Sequence, residues 1–306
     1  MKKLVEPDLL IDGDILAYRA SAACDGRQYV INYAYKGRPV VCLERYKKDA
    51  DKIADGLILS GHSGVYIDVE YTPEPLEVAI RVMEENIKSL ETLVSVHTKG
   101  IGKKIFFCTR HGSFRDKEFP GYKGNRDGIR RPAHLEACKD FLEKKYGAAT
   151  DHYGKLEADD CMAMGQGSNT IICSIDKDLL QVPGHHFNWI KNKYSIIDEE
   201  NGQRNLYTQM LTGDTADGIP GIKGVGPVGA KKALAPHSSE WMMYCAVLKL
   251  YLEKTPVPEG MQEGSEEFWM YCVQLLRCHA RLLYLLRNPA DSWEPPEQEK
   301  PIEEAA

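Results

Sequence analysis

The chain has 306 residues, a formal net charge of −6, and 43% hydrophobic with 9% aromatic residues. That length holds one large domain or two smaller ones, and the composition is that of a globular protein, not a fibrous or wholly disordered one. No apolar stretch approaches the roughly 20 residues that cross a bilayer. The opening MKKLVEPDLLIDGD is too interrupted by Glu and Pro for a signal peptide, so no membrane partner and a cytoplasmic location are expected. Nine cysteines, scattered without a CxxC pair, argue against a disulfide framework or thiolate zinc site.

In chain order, short strands are expected over 8–11 (DLLI), 104–109 (KIFFCT), 170–175 (TIICSI) and 186–190 (HFNWI), and helices over 75–97, 133–146 and 156–164. Strands alternating with helices predict an α/β fold with a parallel-type central sheet and helices on both faces. Residues 25–74, rich in Gly and Tyr, show no clear period. From Leu206 onward the strand signal gives way to helices and glycine turns, which suggests an internal boundary near residue 205. The stretch 241–252, WMMYCAVLKLYL, reads as a core helix, and His185 and His186 as strand-edge residues without partners for a soft-metal site. The end of the chain, from residue 293, is acidic and almost without apolar residues, and reads as a disordered tail.

Net negative charge disfavours nucleic acid as a partner, but its distribution matters more than the sum. Between Tyr122 and Arg131, four basic residues (Lys123, Arg126, Arg130, Arg131) stand against one acid, Asp127. Acids gather elsewhere. Asp12 and Asp14 follow the first strand; Glu157, Asp159 and Asp160 open a helix, with Glu157 and Asp160 on one face; Asp176 and Asp178 follow the strand 170–175; Asp214 and Asp217 are three apart. Functional groups collect at the carboxyl ends of parallel strands, so these acids can converge on one sheet edge. Carboxylates packed together repel, a cost that a hard divalent cation removes. Asp14 reads as a helix N-cap, whereas Asp12 alone is compatible with a nucleophile, a ligand or a turn residue.

The segment 211–234, LTGDTADGIPGIKGVGPVGAKKAL, contains Gly224, Gly226 and Gly229 in a GxGxxG spacing, but no strand precedes it, so a dinucleotide site is not expected. It reads as a glycine turn feeding a helix begun by Pro227, with positive φ allowed at Gly224 and Gly226. Lys223, Lys231 and Lys232 add charge, which suits phosphate.

Five segments in this order, LLIDGD, FRDKEFPGYKGNRD, EADD, SIDKDLLQ and GDTADGIPGIKGVGPVGAKKAL, resemble the 5′-nucleases of the flap endonuclease superfamily, including phage 5′-3′ exonucleases and the nuclease domain of bacterial DNA polymerase I. The resemblance implies a PIN-like nuclease core over 1–205 with a helical arch near 124–147, a helical DNA-binding region with a helix-hairpin-helix over 206–292, and the tail 293–306. It implies two Mg²⁺ or Mn²⁺ ions held by Asp12, Glu157, Asp159, Asp160, Asp176, Asp178, Asp214 and Asp217, with Lys123 and Arg126 at the scissile phosphate. DNA contacts would come from Arg115, Tyr122, Lys123, Arg126, Arg130, Lys223, Gly224, Gly226, Gly229, Lys231 and Lys232, with K⁺ at the glycine hairpin. The implied substrate is DNA with 5′ ends, flaps or branches, and RNA–DNA hybrid, cut by a monomer acting in DNA replication, in the host cytoplasm if the chain is phage-encoded. The family carries an aspartate after its second strand, where this chain has Thr109, Arg110 and His111; either Asp14 or a water would fill that role, or the first metal site would be weaker here. A dehalogenase-type phosphatase would use Asp12 as nucleophile but leave YKGNRD, EADD and the glycine hairpin without work. A non-catalytic branched-DNA-binding protein would not need so many acids.

Overall fold

The computed structural model describes residues 3–110, 112–148 and 156–298. In chain order it contains β1 (Asp8–Asp12), α1 (Gly13–Ala23), β2 (Asp25–Tyr35), β3 (Arg38–Glu44), α2 (Lys47–Leu59), β4 (Ser63–Pro73), α3 (Leu76–Ser95), β5 (Lys104–Phe107), α4 (Arg115–Glu118) and α5 (Leu135–Tyr146). There follow α6 (Ala158–Gly165), β6 (Thr170–Cys173), β7 (Gly184–Asn188), β8 (Lys193–Ile197), α7 (Glu199–Thr212), β9 (Gly213–Asp214), β10 (Ile219–Pro220), α8 (Pro227–Leu234), α9 (Glu240–Lys254) and α10 (Glu266–Leu283).

The chain forms two compact units, one of residues 1–15, 90–129 and 142–306, the other of 16–89 and 130–141. The first holds a five-stranded sheet in the order β5-β1-β6-β7-β8, parallel throughout except for the antiparallel β7–β8 pair. β1 lies between two parallel neighbours and has both faces covered, which explains its unbroken Leu9-Leu10-Ile11 run. β8 was not expected: its sequence KYSII is mixed, as suits an edge strand with one partner. Helix α6 packs on β1 and β5 and brings its N-terminus to the sheet.

The helices α7 to α10 enclose a second core of this unit, with Tyr207, Met210, Met243, Val247, Tyr251, Cys272 and Leu276 at its centre. The expected boundary at residue 205 falls inside α7, so the strand-bearing and helical parts are joined by a continuous helix. The tail is anchored where it begins: Trp293 is buried in this core, and Glu294 accepts from Arg277 at 2.6 Å; only the part of the expected tail from 299 to 306 lies outside the described residues.

The second unit contains the stretch that showed no period. β2, β3 and β4 form an antiparallel sheet in the order β3-β2-β4, and α2 covers one face through Tyr29, Ile31, Ala50 and Ala54. Lys36 and Gly37 both have positive φ, 50° and 75°, so the β2–β3 turn is the tight kind that matches strand twist. Of the expected arch near 124–147, the structure shows a 3-10 turn at Gly124–Arg126 and the helix α5.

The glycine segment is shaped by two different constraints. β9 and β10 pair as a minimal hairpin in which Gly213 has φ 68° and a Cβ would lie 2.3 Å from the Gly221 nitrogen. Gly224, φ 78°, faces open space, but Gly226 was expected at positive φ and instead has φ −88° as the extended residue capping α8. Pro227 already fixes the helix start, so Gly226 needs no unusual backbone. Gly213→Ala should therefore lower stability by about 2 kcal/mol or more, Gly224→Ala by about 1 kcal/mol, and Gly226→Ala hardly at all. Urea denaturation of the three variants checks this ranking.

Candidate active site

The acids sit where elements end. Asp12 closes β1 and caps α1, with Oδ1 accepting the Ile15 N–H at 3.0 Å and Oδ2 accepting the Ser174 hydroxyl at 2.8 Å. The cap is thus Asp12, not Asp14 as expected. Asp14 instead accepts the Thr109 N–H at 3.0 and 3.1 Å, which sets a carboxylate beside the residue that follows β5 in place of an aspartate. His111 lies outside the described residues. The Thr109 hydroxyl in turn accepts the Ala158 N–H at 3.0 Å, tying this corner to α6.

Glu157 caps α6, and a reciprocal capping box joins it to Asp160. Asp160 is fully buried and grips Arg115 with two hydrogen bonds of 2.7 and 2.8 Å. Arg115, 1% exposed, also donates to the carbonyls of Leu282 and Tyr284. The pair is internal scaffolding: the structure removes Arg115 from any DNA-facing surface and occupies the Asp160 carboxylate. The helical arrangement of EADD therefore turns one acid inward and leaves Asp159 toward the site.

After β6, Ser174 Oγ also accepts the Asp176 N–H at 3.0 Å, and Asp176 accepts the Asp178 N–H at 2.8 Å, a turn that aims both carboxylates. The β9–β10 hairpin delivers Asp214, whose Oδ1 accepts the Ala216 N–H at 2.7 Å, and Asp217. Lys177 bridges this pair of segments, 3.1 Å from Asp214 and 3.7 Å from Asp178. Lys123, held in a left-handed conformation, donates to Glu157 at 2.5 Å and lies 3.9 Å from Asp217. Arg126 pairs with Asp217 and donates to the Ala216 carbonyl at 3.0 Å. Tyr122 is buried, with its hydroxyl donating to Glu157 at 2.9 Å and 3.2 Å from Asp217, so it is a strut between acids rather than a surface for stacking a base.

Charge is crowded here. Burial, with Asp14 and Asp176 adding to it, pushes Asp12 up to about 7 against the Ile15 and Ser174 hydrogen bonds. Burial and the charges of Asp12 and Asp176 hold Asp159 well above the usual carboxylate range. Asp178 is pushed up to about 7 by burial and by Asp176 and Asp214. Asp217 is raised by burial, which outweighs Lys123 and Arg126. Only Asp214 is lowered, because Lys177 and the Ala216 N–H overcome its burial. Asp176 faces both groups of acids. Among the described residues, no three Asp, Glu, His or Cys side chains are gathered tightly enough to hold a metal ion as they stand. The donors are nonetheless all oxygens in mutual repulsion, a set suited to a hard cation.

The remaining sequence candidates lie apart from the acids. Lys223, Lys231 and Lys232 are exposed around the glycine turn and α8 with Gly224, Gly226 and Gly229. Arg130 belongs to the other unit, where it donates to Asp25 at 2.9 Å and covers the Tyr71 ring at 3.6 Å. Nothing in local spacing singles out Ser174 or Gln209, which donates to Asp178; a polar residue within an otherwise apolar helix face is the only signal for Gln209.

No family model matches the chain. Over 148 residues it is 29% identical to DNA polymerase I of Deinococcus radiodurans, a match covering 43% of this chain and 15% of the polymerase. It is 26% identical over 215 residues to the flap endonuclease Xni of Shewanella baltica, covering 64% of this chain and 79% of that protein. The chain is a relative of these proteins. As a fold it is similar to a T5 5′-exonuclease solved with zinc ions, at a TM-score of 0.51 and 15% identity over 91% of this chain and 89% of that one. The matched part of the chain spans less than a fifth of the polymerase's length.

Two outcomes follow from the site's electrostatics. Asp160→Asn leaves the Arg115 guanidinium buried beside a neutral amide and should cost about 3–5 kcal/mol in denaturant unfolding. For Asp178, a folded-state value raised to about 7 means that its contribution to stability is present at low pH and lost as pH rises toward and past 7. In chelator, Asp178→Asn should therefore raise the melting midpoint more at pH 8 than at pH 5, as thermal scans at the two pH values will show.

Proposed function

We propose that the chain is a divalent-cation-dependent 5′-nuclease that hydrolyses phosphodiesters of DNA at 5′ ends, flaps or branches. The observation that carries the reading is the meeting of acids from four separated segments, after β1, before α6, after β6 and at the β9–β10 hairpin, with Lys123 and Arg126 laid against them. The activity in the name of one relative, flap endonuclease Xni, supports it.

In this reading Asp12, Asp14, Glu157, Asp159 and Asp176 serve one Mg²⁺ or Mn²⁺, and Asp176, Asp178, Asp214 and Asp217 a second. Bound there, the cations lower the pKa of water and neutralise charge on the leaving oxygen. The chain's own part is positioning. Ser174 and the Ile15 N–H fix the Asp12 carboxylate. Lys123 and Arg126 rest on Glu157 and Asp217 and, with those acids occupied by cations, would be free to turn to the scissile phosphate and offset charge in the transition state. The exposed turn at Gly224 and Gly226, where an added Cβ would meet nothing within 4 Å, lets duplex phosphates approach the α8 N-terminus, with Lys223, Lys231 and Lys232 supplying charge that does not read sequence. A monovalent cation at the same turn and cleavage of RNA–DNA hybrid belong to the same proposal.

Neither alternative uses the site as well. A dehalogenase-type phosphatase needs Asp12 free to attack phosphorus, yet it is 2% exposed with both oxygens engaged. A binding module gains nothing from acids whose burial, with mutual repulsion added, raises Asp12 and Asp178 to about 7.

Single-turnover cleavage of an end-labelled 5′ flap should require Mg²⁺ or Mn²⁺ and stop in excess EDTA. Lys123→Ala should slow it on the order of a hundredfold with cation affinity retained. Hydrolysis that persists in EDTA would overturn the reading.

A further inference from the structure

Helix α7 buries a glutamine where its neighbours are apolar. Gln209 is 8% exposed, between Leu206, Tyr207, Met210 and Leu211, all part of the helical core. Its amide is used only on one side: Nε2 donates to Asp178 Oδ1, while Oε1 is buried and finds no hydrogen-bond partner among the described residues. A buried carbonyl oxygen left without a donor costs about 1–3 kcal/mol, and a leucine here would fill the same space without that cost. A purely structural role therefore does not account for the residue.

The contacts on Asp178 are lopsided. Gln209 and Lys177 both address Oδ1, the lysine at 3.7 Å, so the carboxylate is oriented with Oδ2 left to serve a ligand. The Gln209 oxygen of the same amide is closed off from solvent, so the residue is held there for its N–H and not for its carbonyl. We propose that Gln209 is a positioning residue for the second cation: its N–H fixes the Asp178 carboxylate through Oδ1 and so presents Oδ2 to the cation. This rests on the cation-dependent reading of the site. It assigns to α7, otherwise a core helix, control over how tightly the site binds metal. Partners behind ligating carboxylates typically contribute 10–100-fold to metal affinity.

The test is Mn²⁺ binding to the full chain without DNA, followed by calorimetry, for the parent, Gln209→Met and Gln209→Asn, with melting midpoints in chelator. Met keeps the length without polar atoms, and Asn keeps the amide but falls short of Asp178. Both should weaken one of two Mn²⁺ sites by 10–100-fold and leave the other unchanged. The chelator midpoint of the Met variant should equal or exceed that of the parent. Parent-like Mn²⁺ affinity in the variants overturns the inference while leaving the nuclease reading intact. A failure of both variants to fold makes Gln209 a structural residue and likewise overturns it. A parent that binds no Mn²⁺ removes the inference together with the reading on which it rests.

Discussion

The buried ion pair between Arg115 and Asp160 is the constraint on which the site depends. Removing a guanidinium and a carboxylate from water costs several kcal/mol per ion, recovered only when geometry is close and the remaining donors are satisfied. Here the pair is bidentate, and the other guanidinium donors end on the carbonyls of Leu282 and Tyr284, while Asp160 also accepts the Leu286 N–H at 3.2 Å. The start of α6 is therefore locked to the chain segment after α10. Because Glu157 caps α6 through the same Asp160, the carboxylates facing the site inherit their position from this internal pair. Gln181 repeats the device beside it, bonding to both Leu283 and Leu285 across the same junction.

On this scaffold the protein stores unfavourable charge. Asp12, Asp159, Asp178 and Asp217 are all displaced upward by burial and by one another, and only Asp214, met by Lys177, is relieved. Local rules are broken together at one place, which is where function is expected in a chain otherwise consistent from propensity to packing. The basic residues that lie on the acids have a double character: they offset repulsion in the free protein, and on exposed stems they are able to turn to an anionic ligand. Lys177 and Arg126 are largely exposed at their ends, whereas Arg115 is not, and that difference separates residues able to move from one that holds the frame.

Much of the sheet was legible. β1, β5 and β6 come from short apolar runs and, being parallel, show the unbroken pattern that a sequence advertises, whereas β7, GHHFN, lies two residues before the expected 186–190 and has no such run. The antiparallel sheet of the second unit was not, because polar and charged residues interrupt its long strands and the one apolar run, 40–43, is short and lies between Arg38 and Glu44. Its clearest sign, Lys36-Gly37 between tyrosine- and valine-rich segments, is a turn signal rather than a hydrophobic one. β8 went unread for the same reason. Among the acids, spacing placed Glu157 and Asp160 on one helix face but could not tell that one caps the helix and the other is drawn inward by Arg115. The helix cap fell to Asp12 and not to Asp14, since the cap goes to whichever carboxylate reaches the Ile15 N–H, and that depends on where β1 ends.

The sequence by itself determined the inventory and its order: which segments end in paired acids, which carry the basic residues, and that a glycine turn with Pro227 opens a helix. These follow from composition and short-range periodicity, which act within a few residues. Only the tertiary structure decided how each group is used. Asp12 meets Ser174 across 162 positions, Arg115 meets Asp160 across 45, and Gln209 meets Asp178 across 31. Hydrogen bonds need distances near 3 Å and aligned donors, and the energy of a charge depends on what surrounds it. Neither is encoded in local spacing, so the division of one set of carboxylates into cap, scaffold and site emerges only when the sheet and the helices are packed.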